Sequence, residues 1–251
     1  MPSRLSFSHG GHRYYLADGA GGRQPVKSVS GLLKPLGAGE ALLAWATRVA
    51  GDYAADQWEA LAAQPVDERR RLISGAAARE RDAKANAGKA VHAMAEALLR
   101  GESVDPPESV SAQVQHLARW LDDQRLEEVR TEVQVWADAD PDLGACAYAG
   151  TADLFAVHPR WGRVVMDWKT GAVYPQHGLQ VMAYGSADWL VDAAGNDVPM
   201  PHFDAHLVVQ VAPHGVRVLA LPREQRVDAL EVFALLRQLA NCADIELGEV
   251  L

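Results

Sequence analysis

The hydrophobic pattern changes period near the middle of the chain. Up to about residue 125 apolar residues recur at helical spacing, and beyond it they alternate or form short blocks bounded by turn residues. At the start, 12–16 reads as a strand that turns at Asp18-Gly19, and Ser28-Val29-Ser30 offers N-cap chemistry ahead of Leu32, Leu33 and Leu36. Leu42, Leu43, Trp45, Ala46 and Val49 mark a helix over 40–63, which Pro65 interrupts. Asp67 can cap a second stretch that carries Arg69, Arg70 and Arg71 and runs towards Arg81. Val91, Met94, Ala95, Leu98 and Leu99 define a third over 83–100, closed by Gly101. Pro106 and Pro107 open a fourth over 108–125, with Val114, Leu117, Trp120 and Leu121 facing inward.

In the second half, 132–136 alternates, 151–157 is rich in apolar residues, and 163–168 contains Val164-Val165-Met166. The turn Pro159-Arg160-Trp161-Gly162 joins the last two, so three consecutive strands form a meander. A helix is predicted over 175–191, strands over 203–211 and 216–221 around Pro213-His214-Gly215, and a last helix over 223–240. This order predicts a single α/β domain over 1–251. A mainly helical arm (1–125) precedes a core (126–251) whose mixed central sheet has helices on both faces.

Composition narrows the class. Hydrophobic residues make up 49% and charged residues 23% of the 251, which is ordinary for a globular chain with a real core. The two cysteines, Cys146 and Cys242, cannot supply a four-thiolate cluster and suggest no disulfide framework, so a reducing cytoplasm is expected. No apolar run approaches the ~18 residues of a membrane span, and no apolar leader opens the chain. The formal charge of -9 counts against broad non-specific DNA binding, but a protein can gather carboxylates around a cation and still keep a local basic rim.

The chemistry concentrates in the meander. Asp153 and Asp167 lie on strands that fold together around one tight turn, and Lys169, two residues beyond Asp167, leaves the same face of its strand. Hard oxygen ligands of this kind suit Mg²⁺ or Mn²⁺, and an adjacent ammonium can hold an attacking water. A surface hairpin with scattered charges gives the same spacing, so the neighbours matter. Thr170-Gly171 ends the strand, and Gln180 and Tyr184 share one face of the next helix at i, i+4. Upstream, His92 lies on an apolar helix face, a setting more typical of a core histidine than of a ligand, with Glu96 one turn later. Arg79, Arg81, Lys84 and Lys89 precede His92 on one helical surface and form a candidate basic rim, with Arg81, Lys84 and Lys89 as candidate DNA contacts. The run Arg69-Arg70-Arg71 fits a solvated face equally well, and His9 and His12 are read as incidental.

Four strings occur in order: Gly88-Lys89-Ala90-Val91-His92, Gly150-Thr151-Ala152-Asp153-Leu154, Asp167-Trp168-Lys169-Thr170-Gly171 and Gln180-Val181-Met182-Ala183-Tyr184. Together they resemble the RecB-like branch of the PD-(D/E)XK nucleases, and Ser28-Val29-Ser30 after an aromatic strand is similar to its phage exonucleases. The resemblance implies a restriction-endonuclease-like core. It implies that His92, Asp153, Asp167 and the Trp168 backbone carbonyl ligate the metal and that Lys169 serves the nucleophilic water. Gln180 and Tyr184 would steady the site or touch the DNA backbone, while Glu96 has no fixed place in the family pattern and reads as a helix-surface or supporting residue, not a ligand. The implied activity is Mg²⁺- or Mn²⁺-dependent hydrolysis of DNA, single- or double-stranded and most naturally from ends. Its settings are recombination, repair or phage replication in a bacterial or phage-infected cell. A recombinase or a single-strand annealing or binding protein is the implied partner. Relatives with an iron–sulfur cluster carry four cysteines, so no such cluster is expected here. A structure-specific endonuclease, or a nuclease fold that binds DNA or a partner without cutting, shares the same residues.

Overall fold

The computed structural model describes residues 3–7, 13–17, 22–37 and 39–242. The turn expected at Asp18-Gly19 and the residues His9 and His12 lie outside them. In chain order the elements begin with β1 (Ser3–Phe7), β2 (Arg13–Ala17), β3 (Arg23–Ser28) and α1 (Val29–Leu32). There follow α2 (Gly39–Asp56), α3 (Trp58–Ala62), α4 (Val66–Ser74), α5 (Ala76–Leu99) and α6 (Ser111–Gln124). The meander is β4 (Glu127–Ala137), β5 (Tyr148–His158) and β6 (Gly162–Lys169). The chain continues through α7 (Pro175–Gly185), β7 (Trp189–Val191), β8 (Asp197–Pro199), β9 (Ala205–Ala212), β10 (Gly215–Ala220) and α8 (Arg226–Asn241).

The helical half forms for the reasons its pattern suggests, with shifted boundaries. Ser28 caps α1, its Oγ accepting the Gly31 N–H at 3.0 Å. Pro65, not Asp67, holds the N-cap position of α4, and Asp67 and Glu68 fall in its first turn, where carboxylates favour the helix dipole. Gly75 ends that helix, so Arg79 and Arg81 belong to α5, which starts at Ala76 and not near residue 83. Ahead of the helices, β1, β2 and β3 pair in succession and join the main sheet. The expected helix over 175–191 stops at Gly185. Leu190 and Val191 belong instead to β7, which pairs with β4 and β8. Strands of three residues are too short to show a period, which is why the sequence pattern merged them into the helix. Among the described residues no helix is long and apolar enough to cross a membrane.

The ten strands form one mixed, mostly antiparallel sheet, with parallel pairing of β3 to β5 and of β6 to β9. Alternate residues of β6 enter different cores. Val165 packs with Val181, Val208 and Phe233 on the side of α7 and α8, while Val164 and Met166 pack with Val91 and Leu117 on the side of α5 and α6. Helices therefore cover both faces.

One feature of the topology places the site. β4 occupies one edge of β5 along most of its length. The other edge is shared: β3 pairs only at Tyr148 and Ala149, and β6 only from Leu154 to His158. The segment Gly150-Thr151-Ala152-Asp153 spans the gap, where the sheet forks. Side chains fill it. A Cβ on Gly150 would stand 2.5 Å from Cε1 of Tyr184, so only glycine lets that ring lie on the strand. The Tyr14 hydroxyl and Thr151 Oγ1 are hydrogen-bonded at 2.8 Å. Replacing Gly150 by alanine must move a buried ring, an overpacking cost of about 1–3 kcal/mol. The expected outcome for Gly150→Ala is a fall in the thermal midpoint of several degrees, checked by calorimetry; an unchanged midpoint would show that Tyr184 does not need the close approach.

Candidate active site at the fork of the sheet

The register of β5 with β6 runs from His158 opposite Gly162 to Leu154 opposite Met166. One step further, Asp153 and Asp167 face each other where the ladder ends. The carboxylate continues what the ladder began: Asp153 Oδ2 accepts the backbone N–H of Trp168 at 2.7 Å. Its other oxygen, Oδ1, lies 3.2 Å from Nδ1 of His92 on α5. The opposite ring nitrogen, Nε2, is 3.0 Å from the Trp168 carbonyl oxygen. His92 thus bridges the two residues on either side of the fork. Gly88 on α5 lies one turn before His92, close to Thr170 just past the end of β6.

Asp167 is 2% exposed. Its Oδ1 accepts from Gln180 Nε2 at 3.0 Å, and the same amide donates to the Tyr184 hydroxyl at 2.8 Å. Lys169 Nζ forms an ion pair with Oδ2. The Trp168 side chain leaves the other face of the strand, as alternation requires, and packs edge-on against Trp120 at 6.1 Å between centroids. The structure therefore brings together His92, Asp153, Asp167, Lys169, Gln180, Tyr184 and the Trp168 carbonyl. It does not do so for the whole basic rim. Arg81 pairs with Asp82, and Lys84 pairs with Glu80 and lies over Trp45. Lys89 is exposed, one turn before His92. Glu96 is paired with Arg100 at 2.6 Å, on the helix surface.

The electrostatics follow from the crowding. Burial and the nearby charge of Asp153 push the Asp167 carboxyl above its usual range, against the pull of Lys169 and His92. Burial opposes charge on His92, but its hydrogen bond to Asp153 and the charges of Asp153 and Asp167 outweigh that and raise its pKa. As the side chains stand, the Lys169 ammonium and the His92 ring are the groups placed to offset the two carboxylates. Burial and the charge of Lys169 push His177 down to about 4, so its neutral ring accepts the Tyr174 N–H at the start of α7. Burial and then Asp167 hold the Tyr184 hydroxyl far above its ordinary pKa, fixing it neutral.

Sequence reasoning missed Glu132. Thr131 pairs with Leu154 and Val133 with Ala152, so Glu132 stands opposite Asp153, and Glu132, Asp153 and Asp167 fall in one row across β4, β5 and β6. Its backbone has φ 50, a left-handed conformation that costs a non-glycine residue about 1–3 kcal/mol. Partial burial, then Asp153 and Glu96, push its carboxyl up to about 7, with His92 opposing.

No protein-family model matches the chain, and no curated protein does. Among solved structures, one described as the crystal structure of SSO0001 is similar over 52% of this chain, at 16% identity and a TM-score of 0.30. The chain spans 61% of the length of that structure. The likeness is too slight to bear on fold or activity.

Three groups that could serve as ligands must converge for a cation to be held by side chains alone. Among the described residues no three His, Cys, Asp or Glu side chains stand close enough to do so as placed, and Lys169 and Gln180 engage Asp167. The donor set nonetheless fits a divalent ion: two carboxylates, an imidazole and a backbone carbonyl meet at one fork, and Lys169 on its flexible stem already marks with positive charge the place a cation would take.

Glu132 supplies a test by pH. A carboxyl raised from 4.5 towards 7 in the folded chain binds a proton there that the unfolded chain releases, so stability falls as pH rises between those values. Glu132→Gln removes that loss. In EDTA it is expected to raise the thermal midpoint by roughly 1–3 °C at pH 8 and hardly at all at pH 4.5, the partly exposed side chain keeping the effect small. Equal shifts at both pH values would show that the charge of Glu132 is not opposed.

Proposed function

We propose that the chain is a divalent-metal-dependent deoxyribonuclease with a restriction-endonuclease-like core, of the RecB-like branch of the PD-(D/E)XK enzymes. The observation that carries the reading is the convergence at the fork: Asp153 opposite Asp167, Lys169 on the same strand, and His92 reaching across to Asp153 and the Trp168 carbonyl. Residues from four separate segments meet there, and the mixed sheet with helices on both faces supports the same reading.

Asp153, Asp167, the Trp168 carbonyl and His92 would hold a magnesium or manganese ion, which supplies Lewis-acid polarisation of a phosphodiester and of water. The chain's own groups do the rest. Lys169 holds the attacking water and offsets the charge that develops on phosphate. Gln180 keeps Asp167 aimed through its amide and is itself fixed by the neutral Tyr184 hydroxyl. The Trp168 N–H orients the Asp153 carboxylate. Lys89, one turn from His92, offers a phosphate contact at the rim. DNA ends are the proposed substrate, in recombination, repair or phage replication within a bacterial cytoplasm. A recombinase or annealing protein would act beside the enzyme.

Asp153→Ala and Lys169→Ala are each expected to lower Mg²⁺- or Mn²⁺-dependent DNA degradation by on the order of 1,000-fold while both variants remain folded. Gel-resolved digestion of linear DNA checks this. Digestion at the parent's rate by both variants would remove the site, and degradation of closed circular DNA would make the enzyme an endonuclease.

A further inference from the structure

The row that contains Lys169 continues across the sheet. Lys169 pairs with Gln210 on β9, and Gln210 pairs with Arg217 on β10. Paired residues project to the same face and neighbouring strands lie about 4.8 Å apart, so Arg217 stands roughly 10 Å from Lys169 on its side of the sheet. The next row inward, Asp167, Val208 and Leu219, is core at Val208, which is 4% exposed. The Lys169 row is thus where this end of the sheet opens to solvent.

Gln210 ties the row together. Its Nε2 donates to the Gly171 carbonyl at 2.7 Å, in the loop that follows Lys169. Its Oε1 accepts from Arg217 Nε at 3.1 Å. Arg217 is exposed, and among the described residues no carboxylate pairs with it. Arg48, Arg70, Arg71, Arg81 and Arg100 each have an acidic partner within four residues, and Arg237, which has no ion pair, gives both Nε and a terminal nitrogen to the carbonyls of Cys146 and Asp138. A guanidinium held through Nε by a neutral amide keeps its whole charge, and its two terminal nitrogens remain available as a fork. That fork matches the oxygens of a phosphate. In a chain of net charge -9, a tethered and uncompensated cation in line with the catalytic lysine is a specific arrangement.

We propose that Arg217, positioned by Gln210, binds a backbone phosphate of the substrate strand next to the one that lies at Lys169. The inference rests on the nuclease reading of the fork and adds to it a direction for the strand: from Lys169 across β9 to β10. Gln210 is a positioning residue, coupling the loop after Lys169 to the guanidinium.

Fluorescence anisotropy with a labelled single-stranded oligonucleotide and a blunt duplex, in calcium buffer over a range of salt concentrations, tests this. Arg217→Gln is expected to weaken binding by about three- to ten-fold and to flatten the log–log salt dependence by about one. Arg217→Lys should fall between the two, and Arg48→Gln, which removes a cation paired with Asp52, should match the parent. In magnesium, Arg217→Gln should raise KM and leave kcat unchanged. Affinity and salt slope equal to the parent's would overturn the inference while Asp153-dependent cleavage kept the nuclease reading intact. A lowered kcat with unchanged affinity would overturn it as well, placing Arg217 in the chemistry and not in binding. Failure of the parent to bind either DNA at low salt would overturn both readings.

Discussion

Two carboxylates held opposite each other at a split in a β-sheet demand a cation, and most of the surrounding structure answers that demand. Asp153 and Asp167 arrive opposite each other at the fork through the hairpin register, and a one-residue slip of either strand would turn its carboxylate to the other face. The buried environment that keeps Asp167 rigid also strengthens the repulsion between them. Lys169 and His92 offset it from opposite sides, one along the strand and one from a helix on the far face. The same burial that raises Asp167 would make it a strong partner for a divalent ion.

The rest of the sheet can be understood as support for that fork. β3 and β6 share one edge of β5 and leave four residues between them unpaired on that side. An open ladder is costly, since backbone groups removed from water need partners. Here Asp153 takes one N–H, Thr151 engages Tyr14, and the Tyr184 ring lies over Gly150. Tyr184 in turn fixes Gln180, which holds Asp167. The support is continuous from the first strands of the chain to α7, which explains why residues so far apart in sequence act on one point. β9 and β10 extend the polar edge beyond Lys169 through Gln210 to Arg217.

The sequence made some of this legible. The turn at 159–162 counts Asp153 and Asp167 into opposition, and strand alternation puts Lys169 on the face of Asp167 and Trp168 in the core. The spacing of Gln180 and Tyr184 was enough to pair them. His92 was different: its contact lies 76 positions away, on another face of the sheet, and only the resemblance to known nucleases singled it out. Glu132 opens the alternating stretch 132–136, but which residue of β5 it faces depends on the register across the connection from Ala137 to Tyr148, which is too long to be counted out as a tight turn is. The setting of the basic rim was hidden for a simpler reason. Charge counts along a helix ignore the acidic neighbours that occupy Arg81 and Lys84, while Arg217 looks ordinary until three strands are laid side by side.

If the fork holds the divalent ion of the proposed nuclease, Asp167 is indispensable to its binding. Titration of Mn²⁺ into the protein, followed by electron paramagnetic resonance of the free ion and by calorimetry, tests it without reference to cleavage. Saturable Mn²⁺ binding that competes with Mg²⁺ and is lost in Asp167→Asn, with the variant still folded, is the expected result. Binding of equal strength in that variant, or none in the parent, would contradict it.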